Sequence, residues 1–154
     1  VMIGATCFSA VFKRLGGDTM IEEMITGTSL GPYGVLLMLM ALIFILGFFL
    51  EWVEISFVVL PLFAPVIQTF EFAGVASNET LVWFAVLVAM NLQTSFLTPP
   101  FGYALFYVRG VAPTEVRTWD IYRGVIPFVV LQLVATITLV AFPGLSLYLV
   151  RTMG

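Results

Sequence analysis

The sequence predicts an all-α polytopic membrane protein, and three observations carry that expectation. Only 15 of 154 residues are charged, 6 basic and 9 acidic, where a soluble domain carries about 25%. Hydrophobic residues make up 61% of the chain, and its mean hydropathy is +1.11. The charges also leave four runs untouched: 24–50, 55–70, 80–108 and 124–150, of 27, 16, 29 and 27 residues. A crossing helix needs about 20 apolar residues, with a range of about 17–25. Three runs meet that length and the fourth is borderline. No alternation of period two appears, which excludes the pattern of a membrane β-barrel.

The same composition excludes several functions. A net charge of -3 with no basic block offers no surface for nucleic acid. Histidine is absent and Cys7 is the only cysteine. That removes the usual zinc and haem sites, a disulfide framework and His-based catalysis. A membrane-embedded enzyme would need a nucleophile or a metal cluster, and only Cys7 and scattered Ser and Thr are present. The chain is expected to be neither an enzyme nor the holder of an organic cofactor.

The elements follow in order. Residues 1–14 read as the end of a transmembrane helix, closed by Lys13, Arg14 and Gly16-Gly17. The apolar start has no basic flank and does not resemble a signal peptide, so the chain reads as part of a larger permease. Thr19-Met20-Ile21-Glu22 has capping-box form, and Met20, Ile21, Met24 and Ile25 make a helical stripe. An interfacial helix over 18–27 is expected, with an ordinary amphipathic connector as the alternative. Gly31-Pro32 opens an apolar helix over 33–50, followed by Glu51-Trp52-Val53-Glu54 and a second arm, 55–70, holding Pro61 and Pro65. Asn78 and Glu79 precede a helical run over 80–110 that polar residues and prolines interrupt. A loop at 110–123 leads to one final transmembrane helix, 121–150. The basic residues divide into Lys13, Arg14 and Arg151 at one face and Arg109, Arg117 and Arg123 at the other, so the positive-inside count is a tie.

Two places break the rules of an inert anchor. An acidic residue at the bilayer centre costs about 2.5–3.5 kcal/mol. The 12 Val, Leu, Ile and Phe residues of 35–50 contribute about -0.3 to -0.6 kcal/mol each. Glu51 and Glu54 at midplane would consume most of that. They belong in a surface loop between two full crossings, with Trp52 at the interface, or at the tip of a re-entrant hairpin spanning 33–70. The second place runs from Asn91 to Gly102 and contains Thr94, Ser95, Thr98, Pro99 and Pro100. The two prolines lack an N–H and disfavour helix in the residue before each. The helix should stop near 96 and resume after Pro100, leaving carbonyls around 95 and 96 unpaired. Such breaks survive at membrane depth only where protein or a wet cavity covers them, and transporters use them to hold ions. Asn91, Thr94, Ser95 and Thr98 add oxygens suited to a hard alkali cation. The alternative is a kinked helix whose hydroxyls bond back to its own carbonyls.

The run Gln93-Thr-Ser-Phe-Leu-Thr-Pro-Pro-Phe-Gly-Tyr-Ala-Leu-Phe-Tyr-Val-Arg-Gly-Val-Ala-Pro113 resembles the large membrane subunit of the tripartite ATP-independent periplasmic (TRAP) transporters, in the branch associated with mannitol and chloroaromatic compounds. Val11–Gly17, Leu46–Ile55 and Asp120–Phe128 add to the likeness. The resemblance implies the C-terminal inverted repeat of an elevator-type ion transporter, with 33–70 as re-entrant hairpin and 80–110 as discontinuous helix. It implies sodium-coupled uptake of organic acids across the bacterial inner membrane. The partners it implies are a small four-helix membrane subunit, a periplasmic solute-binding protein and membrane lipid. It also places the 110–123 loop on the cytoplasmic side. The candidate ion and substrate residues are Gly47, Glu51, Glu54, Asn91, Thr94, Ser95, Thr98, Pro99, Pro100 and Gly102, with Thr94, Ser95 and Thr98 as sodium ligands. Glu51 stands where the family usually has Asp. Two alternatives stand beside it: a sodium-coupled anion symporter of the same architecture without a binding protein, and a structural membrane subunit, against which the polar run 91–102 argues.

Overall fold

The computed structural model describes residues 2–27, 30–100 and 102–153, which form helices and no strand among the described residues. The helices are α1 (Met2–Arg14), α2 (Gly17–Thr26), α3 (Pro32–Leu46), α4 (Trp52–Gln68), α5 (Thr80–Leu97), α6 (Tyr103–Val111), α7 (Thr118–Ala141) and α8 (Pro143–Met153). The α1–α2 corner turns at Gly16, whose φ of 76° suits glycine. Helix α2 begins earlier than expected, so Thr19 lies inside its first turn and its hydroxyl donates to the Gly16 carbonyl at 2.7 Å. The side chains of Glu22, Met24 and Ile25, which complete the expected capping box and stripe, lie outside the described residues.

Pro32 occupies the first turn of α3, where its missing N–H costs nothing. The helix ends at Leu46, four residues short of the expected end, because the chain tightens at Gly47: Phe48 N–H bonds the Ile45 carbonyl at 3.2 Å and Phe49 N–H the Leu46 carbonyl at 2.9 Å. Glu51 then takes an extended conformation and caps α4, and Glu54 sits in the first turn of that helix rather than in a loop. Within α4 the segment Ile55–Val59 is a π-helix, with the Leu60 N–H reaching back to the Ile55 carbonyl. Pro61 follows at once; its ring would crowd the carbonyl four residues earlier, and a widened turn relieves that crowding.

The core lies where α3, α4 and α5 meet. Val35 and Ile43 from α3, Ile55 and Ile67 from α4, and Trp83 and Leu87 from α5 are wholly buried. The Trp83 indole N–H donates to the Leu139 carbonyl of α7 at 3.1 Å, which attaches the outer helix to this core. Two helices among the described residues, α5 and α7, are long and apolar enough to cross a membrane. They differ in surroundings: half of the most apolar window of α5 is buried, and none of that of α7, whose window has a mean hydropathy of 2.3. An isolated apolar surface of this kind suits lipid or another membrane helix.

The expected single final helix is corrected. It starts at Thr118, where the Asp120 carboxylate accepts the Arg117 N–H at 3.1 Å, and it breaks at Phe142, because Pro143 has no proton to continue the ladder and instead opens α8. Helix α8 returns to the start of α5. The Arg151 guanidinium bonds Glu79 at 2.7 and 2.9 Å and the Gly74 carbonyl at 2.9 Å. Tyr33 reaches the same loop, its hydroxyl accepting the Ala73 N–H at 3.1 Å.

The Arg151 hydrogen bond holds the Glu79 carboxyl below its ordinary value of 4.5. Glu79 therefore resists protonation in the folded chain. The tether is present at neutral pH and is lost as pH falls through the lowered value. Spin labels at Ser77 and Tyr148 of the full-length permease should give one narrow distance at pH 7 that broadens in acid. Arg151→Gln should give the broad distribution already at pH 7.

Candidate functional site at two helix breaks

The two polar interruptions of the sequence meet in space. The first break, 47–51, ends α3, and the second, 98–102, ends α5. The first break packs on the last turn of α5 just before the second: a Cβ at Gly47 would run into the Ser95 hydroxyl and stand 3.0 Å from its Cβ. Below this contact the Asn91 amide of α5 donates to the Met40 carbonyl of α3 at 2.7 Å. Asn91 and Ser95 are one turn apart and so share the face that α5 turns to α3. Above it the Tyr103 hydroxyl approaches the Phe49 carbonyl at 3.4 Å, and its ring meets Phe96 edge-on.

The second break is built by its prolines. The last N–H of the first half donates from Thr98 to the Ser95 carbonyl at 3.2 Å, and the Gly102 N–H closes the loop on the Thr98 carbonyl at 3.0 Å. The Ser95 carbonyl, expected to be unpaired, is therefore engaged, because the helix tightens into its final turn before Pro99. The cis Pro99–Pro100 bond lies between these two closures. Gly102 packs directly on the backbone of Phe96: a Cβ there would run into the Phe96 carbonyl oxygen and stand 2.9 Å from its carbon. Its φ of -56° is open to any residue, so close approach, and not backbone freedom, calls for glycine.

The three candidate hydroxyls all return a proton to their own helix. Thr94 donates to the Met90 carbonyl at 2.8 Å, Ser95 to Leu92 at 2.8 Å and Thr98 to Thr94 at 2.7 Å. This is the geometry of a kinked helix, and it leaves each hydroxyl oxygen its lone pairs. Thr94 and Ser95 are buried and Thr98 is half-buried. The acidic pair is less engaged: Glu51 is exposed, while the Glu54 carboxylate accepts the Glu51 N–H at 3.2 Å and serves as a cap.

Beside the breaks run two grooves that the sequence did not single out. One, of about 300 Å³, lies between α4 and α5 and includes Trp52, Ser56, Gln93 and Phe96. The other, of about 320 Å³, shares Trp52 and Phe96 and continues to Glu51, Tyr103 and Tyr107. The available signal was Ser56, the polar residue inside the apolar arm 55–60.

The family model described as tripartite ATP-independent periplasmic transporter, DctM component, matches residues 1–145. The chain belongs to this family. Among curated TRAP proteins it is 29% identical over 143 residues to the sialic acid TRAP transporter permease protein of Haemophilus influenzae, covering 93% of this chain and 22% of that protein. It is 28% identical over 149 residues to the sialic acid TRAP large permease protein of Vibrio cholerae, covering 97% and 33%. It is 26% identical over 153 residues to the ectoine/5-hydroxyectoine TRAP large permease protein of Ruegeria pomeroyi, covering 97% and 33%. The chain thus spans about a fifth to a third of the length of these TRAP permeases. These relatives are transport permeases and not enzymes. No solved structure matches the chain.

Proposed function

We propose that this chain is the C-terminal inverted repeat of a TRAP large permease, and that it carries organic acids inward across the bacterial inner membrane on a sodium gradient. The observation that carries the reading is the packing of the first helix break, at Gly47, on Ser95 in the turn of α5 that leads into the second. Discontinuous helices place backbone dipoles and free oxygens beside an ion in transporters. The family supports a small four-helix membrane subunit and a periplasmic solute-binding protein as partners, and the exposed apolar face of α7 suits lipid or that subunit.

Helix lengths support the re-entrant hairpin over 33–70. The 15 residues of α3 reach about 22 Å at 1.5 Å per residue, short of the roughly 30 Å hydrocarbon core. A hairpin entering and leaving on one face needs no longer arm. In this arrangement Thr94, Ser95 and Thr98 offer their hydroxyl oxygens to sodium, Asn91 braces α5 on α3, Pro99 and Pro100 hold the break open, and Glu51 and Glu54 stand at the hairpin tip.

Thr94→Val, Ser95→Ala and Thr98→Val each remove one oxygen. In the full-length permease with its partners, each is expected to raise the sodium concentration for half-maximal uptake about tenfold, the worth of one hydrogen bond or ligand to a charge. Protein yield should stay similar. If all three keep the wild-type sodium dependence, the coupling ion binds elsewhere and the break serves only as a hinge.

A further inference from the structure

In an uninterrupted helix the Leu139 carbonyl would take its proton from residue 143, and residue 143 is a proline without an N–H. The oxygen finds its donor on another helix: the wholly buried Trp83 of α5 supplies its indole N–H at 3.1 Å. One turn earlier on α5, Glu79 holds the Arg151 guanidinium from the far end of α8 at 2.7 and 2.9 Å. Between these two points Leu147 of α8 is wholly buried. Helix α8 is therefore fastened to the start of α5 twice, at its base through Trp83 and at its tip through Arg151. The base lies in the core, whereas the Arg151 side chain is 44% exposed. The tip also fastens the loop 69–79 that joins α4 to α5. Arg151 bonds the Gly74 carbonyl at 2.9 Å, and Tyr33 at the start of α3 accepts the Ala73 N–H at 3.1 Å. The Phe72 ring lies between those of Tyr33 and Trp83, with centroids 5.6 and 5.0 Å away.

We propose that α8 is a latch over the open end of the α3–α4 pair. Its tip releases at Arg151, its base pivots at Phe142–Pro143, and Trp83 is a positioning residue that keeps the end of α7 on α5 while the tip is free. The reason lies in which bonds a swing would break. A helix that bends at an ordinary residue loses a backbone bond and leaves a carbonyl unpaired in apolar surroundings. Here the Leu139 carbonyl takes its proton from α5, so α8 can turn without disturbing it. What a swing must undo is the burial of Leu147 and a partly exposed ion pair, and such pairs are among the weaker contacts of a folded chain. With the tip closed, loop 69–79 is fixed to α3, α5 and α8 together, and the α3–α4 pair can yield only at its other end, 47–51. With the tip open, Gly74 and Glu79 are released and the pair can splay at the loop as well.

The test uses the full-length permease with its membrane partner in lipid nanodiscs, in a background without other cysteines. Spin labels at Ser77 and Tyr148 read the tip, and labels at Val82 and Ile137 read the base; all four side chains are exposed. Arg151→Gln is expected to widen the tip distribution at least twofold and to leave the base distribution as in the native protein. Adding Trp83→Phe, which keeps a buried ring and removes the N–H, should widen the base distribution as well. A narrow tip distribution in Arg151→Gln, movement of both pairs in that single variant, or an unchanged base in the double variant overturns the proposal. Pro143→Ala separates loss of the indole N–H from loss of ring volume, because the new backbone N–H can serve the Leu139 carbonyl in its place. Trp83→Phe should lower the melting temperature less than half as much in the Pro143→Ala background as in the native one. An equal drop in both would mean that Trp83 only fills space, and would remove it as the pin of the pivot. The distances are read without substrate, so failure of the latch leaves the transport reading standing, and absence of sodium-driven uptake leaves the latch standing.

Discussion

Gly102→Ala is expected to abolish transport by the full-length permease and to reduce the yield of folded protein. The new methyl group would meet the Phe96 carbonyl oxygen and lie 2.9 Å from its carbon. Backbone has no rotamer by which to withdraw. Relief would require the second half-helix to move off the first, which opens the Thr98–Gly102 closure and exposes buried Leu105. Overpacking of this kind costs about 1–3 kcal/mol in a core that can adjust, and more where it cannot. A loss of transport of about a hundredfold, with a lowered melting temperature in detergent, is the expected result. Gly102 precedes the helix that begins at Tyr103, so helix propensity does not account for such a loss. Wild-type uptake by Gly102→Ala would show that the two halves do not pack this closely.

Gly47→Ala is expected to impair transport about tenfold to a hundredfold while leaving the protein folded, because the atom in its way belongs to a side chain. The Ser95 hydroxyl blocks the methyl position and its Cβ lies 3.0 Å away. Ser95 is fully buried, so the hydroxyl cannot swing out to water. Rescue distinguishes this account from a general loss of backbone freedom. Assayed at saturating sodium, which offsets the lost hydroxyl oxygen, Ser95→Ala removes the nearer atom and should restore part of the activity. Ser95→Gly removes both and should restore more, even though glycine weakens α5 by about 1 kcal/mol. The coupling between the two sites in a double-mutant cycle should be about 1–3 kcal/mol. Additive effects would mean that the breaks do not bear on one another.

Much of this architecture is legible in the sequence because its signals are local. The charge-free run 80–108 contains α5, the run 124–150 contains all of α7 after its first six residues, and Pro99-Pro100 marks where α5 ends. The end of α7 escapes the same reasoning, since Pro143 sits in an otherwise apolar run and a single proline is compatible with a kink as well as a stop. Pro127 lies inside α7 without ending it, which shows both outcomes in one helix. The end of α3 at Leu46 was hidden for a related reason: Phe48, Phe49 and Leu50 are as apolar as the helix before them, and only the glycine differs. The candidate site was legible as two separate places. That Gly47 meets Ser95, and that Asn91 reaches the Met40 carbonyl, depend on how two distant helices pack, and no pattern within either segment encodes it. Ser56 and Gln93 escaped for the same reason, as each is one polar residue whose meaning comes from the groove across which the other lies.

On the transport reading proposed above, the close packing of Gly47 on Ser95 also bears on how energy would pass between an ion and a cargo. Two loops separated by solvent or by long side chains would absorb each other's movements, as a slack cord does. A glycine pressed on a fully buried serine leaves no slack. Interiors packed to this density answer a displacement by changing arrangement as a unit and not by yielding gradually. On that reading, the break beside Glu51 and the proline loop beside Thr98 would therefore shift together. A ligand that favoured one arrangement of either loop would then favour it for both, and the exchange of free energy between sites would be achieved over the width of a single residue.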